Sequence, residues 1–413
     1  MSFFYMLFSP IREFWKKGDV VLLGLCLLTS GFGLALIYSA TQYQNQVPGP
    51  LINRTVLIQA IAILLGVIVY VLLTFVDFQL FTEKRWKLLL AGSIVLLLVL
   101  LTPLGVTRYG NRNWIQIPHF PMMLQPNEII KIPFILILSL QIVKIQDRGY
   151  SISSIPSITQ IGAFTAFMLG LIAVICGDMG TCCVYIMIFA FMTWAAGVKL
   201  RWFVLVGGGV AAAAVIFWLF FLPETSLWTN FRVMRFRVVF DHSLDPQNIG
   251  WQQARSTLAI GSGKLFGQGY LRGVQTHSSS SNALPVRESD LIFAVCGEEL
   301  GMVGCMALLL LLSCIVLRCI WVGRHASSPY SAYVCMGMAG MLLSQITFNV
   351  GMCLYVLPVM GLTLPFVSAG GSSIITLFAA MGLVSSVKAR PMPSWLRDRS
   401  QVSRPRRAGI PFS

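Results

Sequence analysis

Apolar positions in this chain gather into long unbroken blocks instead of alternating with polar ones. Ten blocks stand out, at roughly 20–40, 56–76, 87–104, 123–143, 157–176, 179–197, 202–222, 290–317, 331–354 and 369–387. Each approaches or exceeds the ~20 residues that a helix needs to cross a ~30 Å hydrocarbon core. None shows the every-second-residue alternation of a membrane-barrel strand. In lipid a chain must satisfy its backbone internally, so the pattern predicts an all-α polytopic membrane protein of about ten transmembrane helices. One membrane domain is expected over 20–387, preceded by a short segment (1–19) and followed by a polar tail (388–413). The apolar residues before Arg12 lack a basic leader and a small-residue cleavage site, so the first block is expected to serve as the insertion signal.

Composition strengthens this picture. Hydrophobic residues make up 56% of the 413 positions and charged ones 11%, against about 25% charged in a soluble domain. A net charge of +15 would suggest nucleic acid in a soluble protein, but here most basic residues lie in short segments beside apolar blocks. Their placement sets an orientation. With a cytoplasmic N-terminus, nineteen of the thirty Lys and Arg fall on the cytoplasmic side, among them Lys16, Lys84, Lys144, Lys199, Arg318 and the tail arginines. Ten fall outside and Lys131 lies within a block. Both termini are therefore expected in the cytoplasm. The one long external loop, about 223–289, carries seven of the outer basic residues, including Arg235, Arg255 and Arg287. Long loops cross regardless of charge, so these cations either meet anionic headgroups or hold an anionic substrate such as a lipid pyrophosphate. The ten cysteines lie in or beside apolar blocks without metal-ligand spacing, as small buried residues do.

Ionisable groups at membrane depth are costly and mark function when they occur. Glu128 and Lys131 are three apart at the outer start of the fourth block and share a helix face, where they can neutralise each other. Arg112 and Trp114 precede them at the same interface. Asp178, between two blocks, either caps a helix or faces a cavity. Asp290 opens the eighth block beside the cationic loop. It too can cap, but partial desolvation there would raise its pKa, as a general base needs. Glu298 and Glu299 follow about two turns on, and adjacent acids cannot both face the cavity of Asp290. The stretch Leu357–Ser373, rich in glycine and proline, suits a cavity wall, since irregular backbone at membrane depth survives only against protein or water.

In order and spacing, these pieces resemble the SEDS (shape, elongation, division and sporulation) family of polytopic peptidoglycan polymerases. The resemblance runs from about Val20 to Val387. It is carried by Arg112-Asn113-Trp114, Gln125-Pro126-Asn127-Glu128 with Lys131, Asp178-Met179-Gly180-Thr181 and Leu244-Asp245-Pro246. Further pieces are Ala259 through Gly269, Leu284-Pro285, Ser289-Asp290 through Val295, Glu298-Glu299-Leu300-Gly301, Asn349-Val350-Gly351-Met352 and Ser368 through Ser373. Gly261–Gly263, Gly273-Val274-Gln275 and Leu357-Pro358-Val359 look like the elongation-type (RodA) member. Leu362–Phe366 leans toward the division type (FtsW), and the elongation type is favoured. The chain departs from the family at Gly177 (usually proline), Arg255 (usually glutamine) and Ala369 (usually tyrosine). It also departs in a serine run at 278–281 and in Val286-Arg287-Glu288-Ser289, where Glu-His-Thr is common.

The resemblance implies a substrate, lipid II, and an inverting displacement that joins β-1,4 glycan at the outer face of the cytoplasmic membrane. It implies Asp290 as the catalytic base and a substrate-binding set of Arg112, Glu128, Lys131, Arg235, Gln252, Pro285, Ser368 and Ser372. Asp178, Glu298 and Glu299 are further candidates. The residues call for no organic cofactor; a divalent cation, magnesium or manganese, would suit pyrophosphate chemistry. The implied partners are a class B penicillin-binding protein that crosslinks, and other elongation or division proteins. Embedded charges and broken helices also occur in transporters, which keeps a lipid II flippase as the alternative.

Overall fold

The computed structural model describes residues 13–42, 53–108, 111–118, 122–216, 234–235, 237–238, 249–278 and 284–390. Most of the expected external loop between 217 and 248, including Arg232 and the Leu244-Asp245-Pro246 motif, lies outside them. So do the serines at 279–281 and the tail from 391.

A helix occupies each of the ten apolar blocks. They are α1 (Val20–Thr41), α2 (Arg54–Thr74), α3 (Phe78–Leu98), α4 (Pro126–Asp147), α5 (Ile155–Ile175), α6 (Met179–Ala195) and α7 (Leu200–Ile216). After the short helices α8 (Ile249–Ser262) and α9 (Val274–His277) come α10 (Ile292–Arg324), α11 (Pro329–Cys353) and α12 (Gly371–Ala389). Six of them, α1, α2, α5, α10, α11 and α12, are long and apolar enough to cross a membrane; α6 and α7 are apolar but shorter. The two others carry charge. Helix α4 holds Glu128 and Lys131, whereas α3 opens with Glu83, Lys84, Arg85 and Lys87 and starts about nine residues before the apolar block. Asp77 starts α3, accepting from Leu80 N at 3.0 Å, because a cap needs no apolar neighbour.

The bundle is built around α4, α11 and α12. Of their membrane-length windows, 61% of α11 and 72% of α12 are buried, against 22% in α2 and α5. At one end of the bundle the carboxylate of Asp19, itself fully buried, caps α1 and pairs with Arg318 of α10 (2.8 Å) and Lys388 of α12 (3.3 Å). All ten cysteines are free and eight are buried.

The chain is mostly helical, and among the described residues a single short strand pair interrupts the helices. Gly105–Arg108 and Asn111–Ile115 form an antiparallel pair, β1 and β2, with Gly105 opposite Ile115 and Val106 opposite Trp114. This segment leaves the helical blocks and returns to α4, and strand pairing satisfies its backbone where no helix continues.

Helix α10 is not continuous. At Gly301 the backbone turns to φ +66°, a region that glycine enters without the clash of a Cβ. The break frees the amides of Met302 and Val303 and the carbonyls of Glu298 and Glu299, which would otherwise bond each other. The loop after α8 takes their places. Met302 N donates to Lys264 O (2.9 Å) and Val303 N to Leu265 O (3.1 Å). Gln268 N donates to Glu298 O (2.9 Å) and Gly269 N to Glu299 O (3.0 Å). Residues 264–269 are thereby spliced into the helix, and these four backbone groups regain partners.

Candidate active site

Helices α2, α4, α6, α10 and α12 all begin at the same end of the bundle, and the segments leading into them enclose a cavity of about 380 Å³. Thr55 and Gln59 of α2 and Asn113 of β2 contribute to its wall. Asp178, Arg235, the turn from Val286 to Asp290, Gly361 and Gly370–Ser373 also line it, with Trp114 of β2 and Gln125 just before α4.

Asp290 stands in the turn before α10 and does not cap that helix. The cap position is Leu291, with no side-chain cap bond. Its main chain is held instead: Asn349 Nδ2 of α11 donates to Asp290 O (2.9 Å) and also to Leu362 O (2.7 Å). The turn is strained, because Val286 sits at φ +45°, an outlier for a β-branched residue. The carboxyl is directed into the cavity and Gly361 lies beside it; a Cβ there would stand 3.7 Å from Oδ2, and Gly361 already needs φ +67°. Withdrawal from bulk water pushes the Asp290 pKa up to about 6. A bond from Ser289 and the charge of Arg235 pull it down, while Glu288 and Asp178 push it further up. Arg235 lines the same cavity and donates from Nη1 to Val359 O (3.2 Å).

Asp178 is both a cap and a wall residue. Its Oδ1 accepts from Thr181 N (3.1 Å), starting α6. Its Oδ2 accepts from Thr181 Oγ1 (2.7 Å) and Asn113 Nδ2 (2.5 Å). Asn113 Oδ1 in turn accepts from Asn127 Nδ2 (3.2 Å), so β2 and α4 are tied to the same carboxylate.

The other expected site residues divide by position. Ser372 lines the cavity and accepts from Gln125 N (3.2 Å). Glu128 and Lys131 form a buried pair at 2.5 Å one layer behind the wall, with Lys131 wholly inaccessible. Glu128 Oε2 reaches the wall through Ser373 Oγ, at 3.5 Å. Ser368 is buried under the lining and donates to Ser289 O (2.6 Å), supporting the Asp290 turn from behind. Five more of the expected residues do not line the cavity. Arg112 points away from the cavity, donating to Leu101 O (3.3 Å) and Thr102 O (3.2 Å), because β2 alternates and it is Asn113 that faces inward. Gln252 and Pro285 do not line the cavity; the buried glutamine is Gln253, one residue on, which ties α8 to Leu357 O (2.7 Å). Glu298 and Glu299 also face elsewhere. Glu298 accepts from Gln275 N (2.6 Å), Thr276 N (2.8 Å) and Thr276 Oγ1 (2.6 Å), and so holds α9. Glu299 accepts from Ser39 Oγ (2.6 Å) and meets His277 Nε2 (2.8 Å). The departure at Arg287 finds its place here too. Its buried guanidinium donates to Thr276 O, docking the Asp290 turn onto α9, and desolvation lowers its pKa.

Sequence reasoning missed Gln59, Asn113, Asn127 and Asn349 as site residues. The signal was available: Gln59 is the one amide in its apolar block, and Asn113, Asn127 and Asn349 fall inside the family-like motifs.

Fold and site together define a helical membrane protein with a carboxylate-bearing cavity at one end of its bundle. A family profile described as "Cell cycle protein", covering FtsW, RodA and SpoVE, matches residues 20–391, and the chain belongs to that family. It is 30% identical over 380 residues to the probable peptidoglycan glycosyltransferase FtsW of Trichlorobacter lovleyi, covering 90% of this chain and 93% of that protein. It is 31% identical over 304 residues to the peptidoglycan glycosyltransferase MrdB of Escherichia coli K12, covering 74% and 78%. Its fold is similar to that of a chain from a solved peptidoglycan synthase complex that coordinates polymerization and crosslinking. There the TM-score is 0.72 at 26% identity, with 93% of this chain and 99% of that one covered.

Proposed function

We propose that this chain is a peptidoglycan glycosyltransferase that polymerises lipid II into β-1,4 glycan, with Asp290 as the general base. One observation carries the reading. In a chain of this family, Asp290 has its main chain pinned and its carboxyl turned into a cavity shared with Arg235. A base must be ionised yet hold a proton readily, and a pKa raised to about 6 satisfies both near neutral pH.

In the reaction, the acceptor sugar hydroxyl attacks the anomeric carbon of the lipid-linked donor. Asp290 takes the hydroxyl proton as the C–O bond forms. The bond to the pyrophosphate breaks on the opposite face, and its electron pair leaves with undecaprenyl pyrophosphate, so α becomes β. Arg235 binds that developing charge, and Ser372 Oγ donates a hydrogen bond to the substrate. Lys131 acts from behind the wall, pairing with Glu128 and fixing its position. Among the described residues no three His, Cys, Asp or Glu gather as a metal would need. Both Asp178 oxygens are already engaged, so no step is routed through a divalent ion.

The cavity end faces outward from the cytoplasmic membrane, with ten spans, both termini inside and the 223–289 segment external, as the distribution of basic residues supports. The elongation role and a crosslinking partner of the class B penicillin-binding type fit the same reading. The test is glycan synthesis from labelled lipid II by the purified protein, alone and with that partner. Long glycan from wild type and none from Asp290→Asn is expected. Passage of lipid II across liposomes without any glycan would instead favour a flippase.

A further inference from the structure

Gln59 lies in the second turn of α2, buried to 2% exposure in a helix that is otherwise apolar around it. Both ends of its amide are used on one short loop. Nε2 donates to Ser368 O (3.2 Å) and Oε1 accepts from Gly370 N (3.1 Å), so the side chain pairs with the loop as a neighbouring strand would. The other side of that loop grips the turn that carries Asp290. Ala369 N donates to Glu288 O (2.9 Å), and Ser368 Oγ donates to Ser289 O (2.6 Å) while accepting from Leu364 N (2.8 Å). The loop has no side-chain cap of its own where α12 begins. Helix α2 is in turn a fixed anchor, because it packs so closely on α12 that a Cβ at Gly382 would stand 2.8 Å from Tyr70 O.

We infer that Gln59 is a positioning residue for the glycosyl transfer, setting the placement of Asp290 through the Ser368–Gly370 loop; this rests on Asp290 being the base. A buried amide that satisfies a backbone carbonyl and a backbone amide two residues apart leaves the loop one position. Without it, both groups lose their partners at the cavity wall and the loop can move, taking the 288–289 carbonyls with it. Displacements of the order of 1 Å at a reacting group cost about a hundredfold in rate, so a modest shift is enough to be read.

The experiment compares wild type, Gln59→Met, Ser368→Ala and the double variant, all in the partner complex. It reads kcat and KM for lipid II together with backbone hydrogen exchange over 284–291 and 368–373. Gln59→Met is expected to lower kcat about tenfold or more, leave KM within about twofold, and speed exchange in both segments. Ser368→Ala cuts the same strap from its other side, so it should show the same signature and add little to Gln59→Met. A raised KM with unchanged kcat would make Gln59 a substrate contact and overturn the inference. So would unchanged exchange over 284–291, or effects that multiply in the double variant. If Gln59→Met does not fold, Ser368→Ala alone must slow kcat and loosen 284–291, or the strap is wrong. If wild type makes no glycan, the proposed function fails, while the exchange arm still decides whether Gln59 holds the Asp290 turn.

Discussion

Two corners of one cavity hold an aspartate each, and they are built in opposite ways. At Asp178 the side chain is consumed: Thr181 and Asn113 fill both oxygens with three donors, and the carboxylate starts a helix while tying β2 and α4 to it. At Asp290 the main chain is consumed, by Asn349, while the carboxyl stays open to the cavity. Both residues lie just before helices, both are preceded by loop, and both were candidate caps from sequence. The difference teaches that an acid becomes available for chemistry when something else does its structural work. Asn349 and the Gln59–Ser368 strap do that work for Asp290, and among the described residues nothing comparable relieves Asp178.

This contrast is open to direct attack. Asp290→Asn should cause the largest effect, a loss of at least about a hundredfold in glycan synthesis, the low end for removing a general base. The same variant should be more stable than wild type at pH 7.5. Folding raises this pKa, so the folded protein pays a penalty for the charged form that grows between the unfolded value and about 6; asparagine removes it, and the advantage should vanish near pH 4. Thermal unfolding at the two pH values checks this. Lys131→Met tests an acid whose valences are filled by a charge. It leaves Glu128 buried without its cation, and breaking such a pair costs about 3–5 kcal/mol, measurable in unfolding titrations.

Asp178→Ala should act mainly on stability. Losing a helix cap costs about 1–2 kcal/mol, and glycan synthesis by the folded variant should stay within about tenfold of wild type. A loss as large as that of Asp290→Asn would give Asp178 a chemical role and end the contrast. In wild type, kcat/KM should fall as pH drops through about 6, where Asp290 takes up a proton. The smallest effect is expected on that limb. Asp178 raises the Asp290 pKa through its charge, so Asp178→Asn should move the limb down by a few tenths of a pH unit, as a pair screened at high dielectric would.

How much of this was open to a reader of the chain alone differs between fold and site. The ten helices were legible because in lipid the apolar block and the helix are the same constraint, and their ends blurred only where charge continued the helix, as at Glu83–Lys87 in α3. Asp290, Asp178, Arg235 and Ser372 were legible as candidates, and the cavity does gather them. The β pairing, by contrast, was invisible, and with it the fact that Asn113 rather than Arg112 turns inward. The two acids at Glu298 and Glu299 were equally ambiguous until the fold placed their side chains against α9 and Ser39.

The sequence by itself determined the solvent of this protein, the number of its helical blocks and the expensive polar residues among which a site must be sought. Those follow from burial and desolvation, which act residue by residue. Only the tertiary structure decided which of those polar groups are used up and which remain free to react. That choice depends on partners far along the chain, 309 residues for Gln59 and Ser368 and 65 for Asn113 and Asp178. A hydrogen bond's partner is a property of the fold, whereas its cost when unmade is a property of the residue.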